Sequence, residues 1–360
     1  MKYKILSYLL FCLFFHNISQ TTQNNLELFE NKNILITGGT GYLGRALTTE
    51  ILKYNPHRIV IFSRDEVKHF NCSKIFNNNP KIQYVIGDIR NYESLLRVTK
   101  GIDIVLHAAA LKRIDILETN VCECIQTNII GSQHIFDACV ANNVNTVLFV
   151  STDKACLPIN TYGACKFISE KIFTNYDQST IKTRCLVVRY GNVLESTGSV
   201  IPIFTEKIKM GQDIPLTDNR MTRFIIDKQE AVELIFDALR YGIGGEIFVK
   251  QLPAFKITDL IEILKEKFSA DNNVTITGIR PGEKLHEAMV NHTEMLRAYE
   301  FKDYFVIIPS TQQIFYNQEP IYMQYGTLFS TKFEQDVYSS DQAVITKEQV
   351  KDLFEKLGLL

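Results

Sequence analysis

From Asn33 onward the chain alternates short runs of β-branched and apolar residues with longer amphipathic stretches, the pattern of βαβ units around a parallel sheet. Asn33–Thr37 (NILIT) reads as a first strand and Tyr42–Tyr54 as its helix. Arg58–Phe62, Gln83–Ile86, Asp103–His107, Thr146–Val150 and Arg184–Arg189 follow as five more strands. Few polar positions interrupt them, so both of their faces are expected to be buried between helical layers. Beyond Gly191 the rhythm changes. Asp227–Tyr241 and Thr258–Phe268 have helical periodicity, the first opened by Asp227 and Glu230 in capping-box spacing, and short strands are expected at Glu246–Val249 and Val274–Thr277. The expected architecture is an α/β, doubly wound parallel-sheet domain over 31–191 with return elements around 225–250, interleaved with a smaller mixed α/β substrate-binding region over 192–310. The tail from Ser310 is rich in Gln, Tyr and Phe and lacks a period until Thr346–Gln349, a second capping-box pattern opening a short helix.

The first 30 residues stand apart. Lys2 and Lys4 precede an apolar run from Ile5 to Phe15, and polar residues His16–Asn25 follow, the outline of a signal-peptide n-region and h-region. The run is too short to span a bilayer, which takes ~20 residues, and no small-x-small cleavage pattern surrounds Ser19. Targeting or weak membrane attachment through residues 1–20 stays open, and the segment is set aside from the fold. Elsewhere 39 Lys+Arg balance 40 Asp+Glu, so no global basic field exists to hold nucleic acid. The eight cysteines include no Cys-x-x-Cys and read as reduced thiols of a cytoplasmic protein. With His-Glu-x-x-His also absent, no metal site is expected.

Thr37-Gly38-Gly39-Thr40-Gly41-Tyr42-Leu43-Gly44 follows the first strand and opens a helix. In that context glycines let the backbone turn tightly and approach a pyrophosphate lying at the helix N-terminus, as in Rossmann-type dinucleotide domains. Gly38, Thr40, Gly41, Tyr42, Leu43 and Gly44 are therefore expected to cradle the cofactor. At the end of the second strand, where a carboxylate would take the ribose hydroxyls of NAD, stand Ser63 and Arg64, with Asp65 one residue later. A hydroxyl beside a planar cation suits a 2′-phosphate and favours NADP over NAD. Asp88 and Ile89, after the third strand, are placed to meet the adenine, Asp88 having a helix cap as its structural alternative.

After the fifth strand come Ser151-Thr152-Asp153-Lys154, and then Tyr162 and Lys166, which at i and i+4 share one helix face. Lys166 is expected to lower the phenol pKa and hold a ribose hydroxyl while Tyr162 takes a proton from a substrate alcohol positioned by Thr152. Tyr-x-x-x-Lys downstream of a glycine loop and directly after a Ser-Thr strand end points to a short-chain dehydrogenase/reductase. Asp153 and Lys154 add a second acid and base, which simple alcohol oxidation does not need.

These motifs occur together with His107-Ala-Ala-Ala-Leu-Lys112, Thr127-Asn128, the run STDKACLPINTYGACK over 151–166, Arg189-Tyr-Gly-Asn192-Val193, Arg220-Met-Thr-Arg223-Phe224 and Arg280-Pro-Gly-Glu-Lys-Leu-His-Glu287. On this set, residues 31–310 resemble extended short-chain dehydrogenases of the polysaccharide-biosynthesis type, in particular the inverting UDP-N-acetylglucosamine 4,6-dehydratases that begin pseudaminic acid synthesis. The resemblance implies a homo-oligomer acting on a UDP-sugar through a redox-neutral cycle. In that cycle Tyr162 and Lys166 serve oxidation at C4 by NADP, neutral Lys154 removes the C5 proton, Asp153 protonates the departing 6-OH, and hydride returns to C6. It implies cofactor contacts at Ala108, Ala109 and Lys112, with Asn128 steadying cofactor and backbone. Substrate contacts are implied at Lys112, Asn192, Arg223, Arg280 and Glu283, with the two arginines clamping the diphosphate and Glu283 taking ribose or supporting an arginine. The neutral Lys154 is expected to follow from burial beside Lys166 or beside an oxidised nicotinamide.

The chain departs from the group at Glu195–Ser199, where Gly-Ser-Arg-Gly-Ser is usual, and at Arg113-Ile114-Asp115, where His-Val-Pro is usual. Two enzymatic alternatives stand beside the main reading. A nucleotide-sugar 4-epimerase would use Thr152, Tyr162 and Lys166 alone, and a 5-retaining dehydratase would carry Asp-Glu where this chain has Asp153-Lys154.

Overall fold

The computed structural model describes residues 25–194, 200–310, 320–328 and 337–359. Strands β1 (Asn33–Thr37), β2 (Arg58–Ser63), β3 (Ile82–Ile86), β4 (Ile104–His107), β5 (Thr146–Val150) and β6 (Arg184–Arg189) lie where the apolar runs predict them. They pair in parallel in the order β3-β2-β1-β4-β5-β6. Parallel neighbours require crossovers, and helices α1 (Tyr42–Ile51), α2 (Glu66–Ile75), α3 (Tyr92–Val98), α4 (Gly131–Ala141) and α5 (Thr161–Thr174) supply them. β4 and β5 are buried throughout, whereas β3 at the sheet edge leaves Ile86 exposed. The strand order reverses on either side of β1, so a crevice opens at the C-terminal ends of the strands.

Beyond Gly191 come β7 (Asn192–Val193), α6 (Val200–Lys209), β8 (Ile214–Leu216), β9 (Thr222–Ile226), α7 (Lys228–Tyr241), β10 (Ile247–Lys250), β11 (Ala254–Lys256), α8 (Ile257–Phe268) and β12 (Val274–Ile276). The Asp227 box caps α7: its carboxylate accepts the Glu230 N–H at 2.8 Å, and Glu230 accepts the Asp227 N–H at 3.1 Å. β10 returns to the large sheet parallel to β6.

Several strands were not expected. β13 (Ala288–Val290) pairs with β17 (Tyr338–Ser339), while β14 (Ala298–Phe301), β15 (Tyr304–Ile307) and β16 (Thr327–Leu328) extend the large sheet in antiparallel fashion to ten strands. Each has two to four residues, too few to show a period. The β14–β15 turn reaches positive φ at Lys302 rather than at a glycine or asparagine that would announce it.

Helix α9 (Lys347–Lys356) follows its Thr346–Gln349 box, and Val350 and Phe354 complete a small second core with Leu260, Ile261 and Leu264 of α8. The folded part of the chain begins before residue 31, the boundary expected from sequence. Residues 25–29 are helical, and Phe29 is fully buried with its ring centroid 4.6 Å from that of Phe236 on α7. The apolar run at Ile5–Phe15 and the divergent Glu195–Ser199 lie outside the described residues. No helix among the described residues is long and apolar enough to cross a membrane.

Candidate active site

The strand ends and the smaller core enclose a cleft of about 1090 Å³. Every residue assigned to the site from sequence lines it except Asp88, Asn128 and Asp153.

Backbone proximity explains the glycine loop. Gly38 has φ +67°, and a Cβ there would lie 2.9 Å from the Ala109 backbone. A Cβ on Gly44 would lie 2.5 Å from Gly39 Cα, so α1 rests directly on its own loop. Gly41 begins α1, which has no side-chain cap and no acidic residue in its first turn. A helix start of this kind, lining a cleft, is suited to an anion, and the loop fits the pyrophosphate of a dinucleotide.

At the end of β2, Ser63 Oγ shares hydrogen bonds with Thr40 Oγ1 and His69 Nε2, both at 3.0 Å. Half-exposed Arg64 lies 3.6 Å from Asp88. Asp65 accepts the Lys68 N–H at 3.0 Å and caps α2, which commits the carboxylate nearest the strand end. Asp88 sits behind the lining, gripped by Arg90 at 2.7 and 2.9 Å. Burial raises its proton affinity, but the Arg90 bonds outweigh this and hold the carboxyl below its usual range. Asn91 rather than Asp88 caps α3, and Gly87 and Ile89 are the residues of that turn at the cleft.

The catalytic candidates come together because α5 packs onto the turn after β5. Asn160 caps α5 by accepting the Gly163 N–H at 2.7 Å, and a Cβ on Gly163 would lie only 2.3 Å from the Lys154 carbonyl oxygen. Only glycine lets the helix carrying Tyr162 and Lys166 approach the Asp153–Ala155 turn so closely. Thr152 Oγ1 donates to Asp153 Oδ1 at 2.7 Å. Lys154 Nζ donates to Asp153 Oδ1 at 3.0 Å and Asn192 Oδ1 at 3.1 Å, with Glu287 Oε1 3.8 Å away.

Two electrostatic expectations change. Burial pushes the Tyr162 phenol up to about 12, against the Lys154 charge and a Thr152 hydrogen bond that pull it down. Lys166 does not supply that pull: its Nζ donates to the Val150 carbonyl at 2.6 Å and lies 3.8 Å over the Phe149 ring. Burial draws Lys166 itself down to about 7. Lys154 behaves in the opposite sense to expectation. Its burial favours the neutral amine, but Asp153 and Glu287 outweigh it and hold the ammonium above its usual range.

Supporting residues hold this arrangement. Fully buried Arg189 bridges Glu170 at 2.6 Å and Glu294 at 2.9 Å, and Glu170 takes the Ser151 hydroxyl at 2.6 Å, which pins the end of β5. Asn128, in a π-helical turn over Ile125–Ile130, exchanges two 2.8 Å hydrogen bonds with the backbone of Leu111 and so braces the loop carrying Lys112. Burial and the Lys154 charge hold the Lys112 ammonium below its usual range. Arg223 donates to the carbonyls of Thr222 at 2.7 Å, Lys284 at 2.9 Å and Leu285 at 3.1 Å, with Glu283 3.6 Å away. It therefore braces the loop that follows exposed Arg280, and Glu283 supports an arginine. His69, Asn160 and Glu287 escaped sequence reasoning. For Asn160 the signal was present, an Asn three residues before Gly163 at a helix start; His69 reaches back only six residues to Ser63, but no motif marks it, and Glu287 meets Lys154 from a segment distant along the chain.

A glycine loop between strand and helix, with Thr152, Tyr162 and Lys166 meeting at the adjoining strand end, defines an extended short-chain dehydrogenase/reductase. The profile of the polysaccharide biosynthesis protein family matches residues 34–309, and the chain belongs to that family. It is 45% identical over 291 residues to the UDP-N-acetylglucosamine 4,6-dehydratase (inverting) of Campylobacter jejuni subsp. jejuni serotype O:23/36 (strain 81-176), covering 80% of this chain and 86% of that one. It is 41% identical over 286 residues to the UDP-glucose 4-epimerase of Rickettsia bellii (strain RML369-C), covering 78% and 84% respectively. The solved structure of Pen from Bacillus thuringiensis superposes with a TM-score of 0.84 at 36% identity, covering 92% of this chain and 99% of that one.

Proposed function

We propose that this protein removes water from UDP-N-acetylglucosamine to give a UDP-4-keto-6-deoxy-hexose inverted at C5, with NADP as its redox partner. The observation that carries this reading is the Asp153–Lys154 pair, 3.0 Å apart, on the turn that also presents Thr152 and against the helix that carries Tyr162. Epimerisation at C4 uses the alcohol-oxidising residues alone, whereas elimination across C5–C6 needs a further acid and base. The 45% identity to an inverting dehydratase supports the same choice.

Bound NADP would supply the redox chemistry, a hydride acceptor for oxidation at C4 and a hydride donor for reduction at C6. The glycine loop and the start of α1 hold its pyrophosphate, and Ser63 with Arg64 holds the 2′-phosphate, since Asp65 is committed to capping α2. Thr152 orients the 4-hydroxyl and Tyr162 takes its proton. A ketone at C4 acidifies C5–H, which Lys154 removes while Asp153 protonates the departing 6-oxygen. Arg280 lines the cleft, where its guanidinium would meet the substrate diphosphate, and Arg223 holds the loop that follows it.

The test is to incubate the full chain with NADP and UDP-N-acetylglucosamine in deuterium oxide and follow the sugar ring by proton NMR. A 6-deoxy-4-keto hexose with deuterium at C5 and inverted C5 coupling is expected. One observation favours a second reading: Asp153 and Glu287 hold Lys154 protonated, and a lysine that stays an ammonium ion leaves a 4-epimerase. Return of the sugar only as its C4 epimer would establish that alternative.

A further inference from the structure

The hydroxyls at the end of β2 are held from behind by a residue that does not line the cleft. Asp65 caps α2 and so places His69, one turn into that helix, within reach of Ser63. His69 is buried, and its ring stands perpendicular to that of Tyr84 on β3 with centroids 6.0 Å apart. Its Nε2 lies 3.0 Å from Ser63 Oγ and 3.1 Å from the Ser63 carbonyl oxygen, while its Nδ1 is buried without a partner. These contacts decide where the ring proton sits. A carbonyl oxygen only accepts, so a bare Nε2 would set lone pair against lone pair, and a proton on Nδ1 would find no acceptor. With the proton on Nε2 both contacts are attractive, and this holds for the neutral ring and the imidazolium alike. The Ser63 hydroxyl therefore accepts from His69 and cannot spend its own proton there.

Ser63 Oγ and Thr40 Oγ1 are 3.0 Å apart, and both residues line the cleft, whereas His69 does not. One of their two O–H groups serves the bond between them, and the other stays available to a ligand. The groups beside them complete a corner of donors. Arg64 is a half-exposed cation, while the carboxylates that a ribose hydroxyl would seek are taken up, Asp65 by the Lys68 N–H and Asp88 by Arg90. A phosphate dianion only accepts hydrogen bonds and matches such a corner; a ribose hydroxyl, which must also donate, does not. We propose that His69 is a positioning residue that sets the preference for NADP, by donating its Nε2–H to Ser63 so that the Ser63–Thr40 pair keeps an O–H for the 2′-phosphate. This rests on the NADP reading above.

The experiment titrates NADP and NAD by calorimetry into the full-length protein and four variants. His69→Phe keeps a ring against Tyr84 and loses the N–H, His69→Gln keeps an N–H donor, and Ser63→Ala is made with and without His69→Phe. The wild type should bind NADP the more tightly. His69→Phe should weaken NADP about tenfold, the worth of one hydrogen bond, and NAD by less than about twofold. His69→Gln should recover most of that loss. In the Ser63→Ala background His69→Phe should cost nothing further, because a residue that acts through another is not additive with it. Equal losses for both cofactors, no loss for either, or additive losses in the double variant would overturn the proposal and leave His69 a packing residue. Should His69→Phe not fold, His69→Leu, smaller than the ring and likewise without a donor, carries the same expectations. If the wild type binds NAD as tightly as NADP, the NADP reading falls and this proposal with it, a failure read without any variant.

Discussion

Replacing Lys166 by methionine, which has similar reach and no charge, should silence C4 oxidation and make the fold more stable at neutral pH. Lys166 is 3% exposed, and burial draws its ammonium from 10.5 to about 7. At about 1.4 kcal/mol per pH unit, holding that charge in the folded state at pH 7 costs about 5 kcal/mol. Two losses oppose the gain on substitution. The Val150 carbonyl, bonded at 2.6 Å, is stranded at a cost of about 1–3 kcal/mol, and the contact 3.8 Å over Phe149 is worth about 1–2 kcal/mol. The net expectation is a gain of about 2 kcal/mol at pH 7. The sign then reverses with pH. A folded-state value below the unfolded one means that the unfolded chain holds the extra proton between about 7 and 10.5. The wild type should therefore gain stability as pH rises through that window, and lose it again as pH falls. Near pH 10 only the lost hydrogen bond remains, and the variant should be less stable by about 1–3 kcal/mol. Urea unfolding of both proteins at pH 7, 8.5 and 10 reads the crossing directly. A variant less stable at pH 7, with a pH dependence parallel to the wild type, would refute the reasoning and mean that the pocket stabilises the ammonium.

Three further outcomes follow from the same geometry. Lys154→Ala should abolish net dehydration while C4 oxidation persists, because Thr152, Tyr162 and Lys166 remain; unchanged 4-keto-6-deoxy product by NMR would remove Lys154 as the base. Arg64→Ala should weaken NADP by about 10- to 100-fold, the worth of a charge-assisted hydrogen bond, and NAD much less; equal losses in a titration of the two cofactors would contradict the 2′-phosphate role. Gly38→Ala meets both φ +67° and an Ala109 backbone 2.9 Å away, so urea unfolding should show a loss of at least about 1–2 kcal/mol together with weakened dinucleotide binding.

Much of this protein is local. The glycine loop, the six parallel strands and the capping boxes at Asp227 and Thr346 each need only neighbours in sequence, because a strand period, a tight turn and a helix cap are set within a few residues. The same holds for which chemistry is present. Thr152, Asp153, Lys154, Tyr162 and Lys166 lie within sixteen positions, and their spacing alone announces an oxidising pair beside an acid–base pair. The strands β13 to β17 were not legible, because a strand of two to four residues is specified by the sheet edge it joins and by no pattern of its own.

Protonation was decided only by the tertiary structure. From sequence, Lys154 looked like the lysine that burial would neutralise, and Lys166 like the cation that would ionise Tyr162. Folding brings Asp153 and distant Glu287 to Lys154 and holds its charge, while it turns Lys166 onto a carbonyl and a phenyl ring and weakens it. A proton affinity is the sum of desolvation and the charges within a few ångströms, and those neighbours come from segments that meet only when the chain is folded.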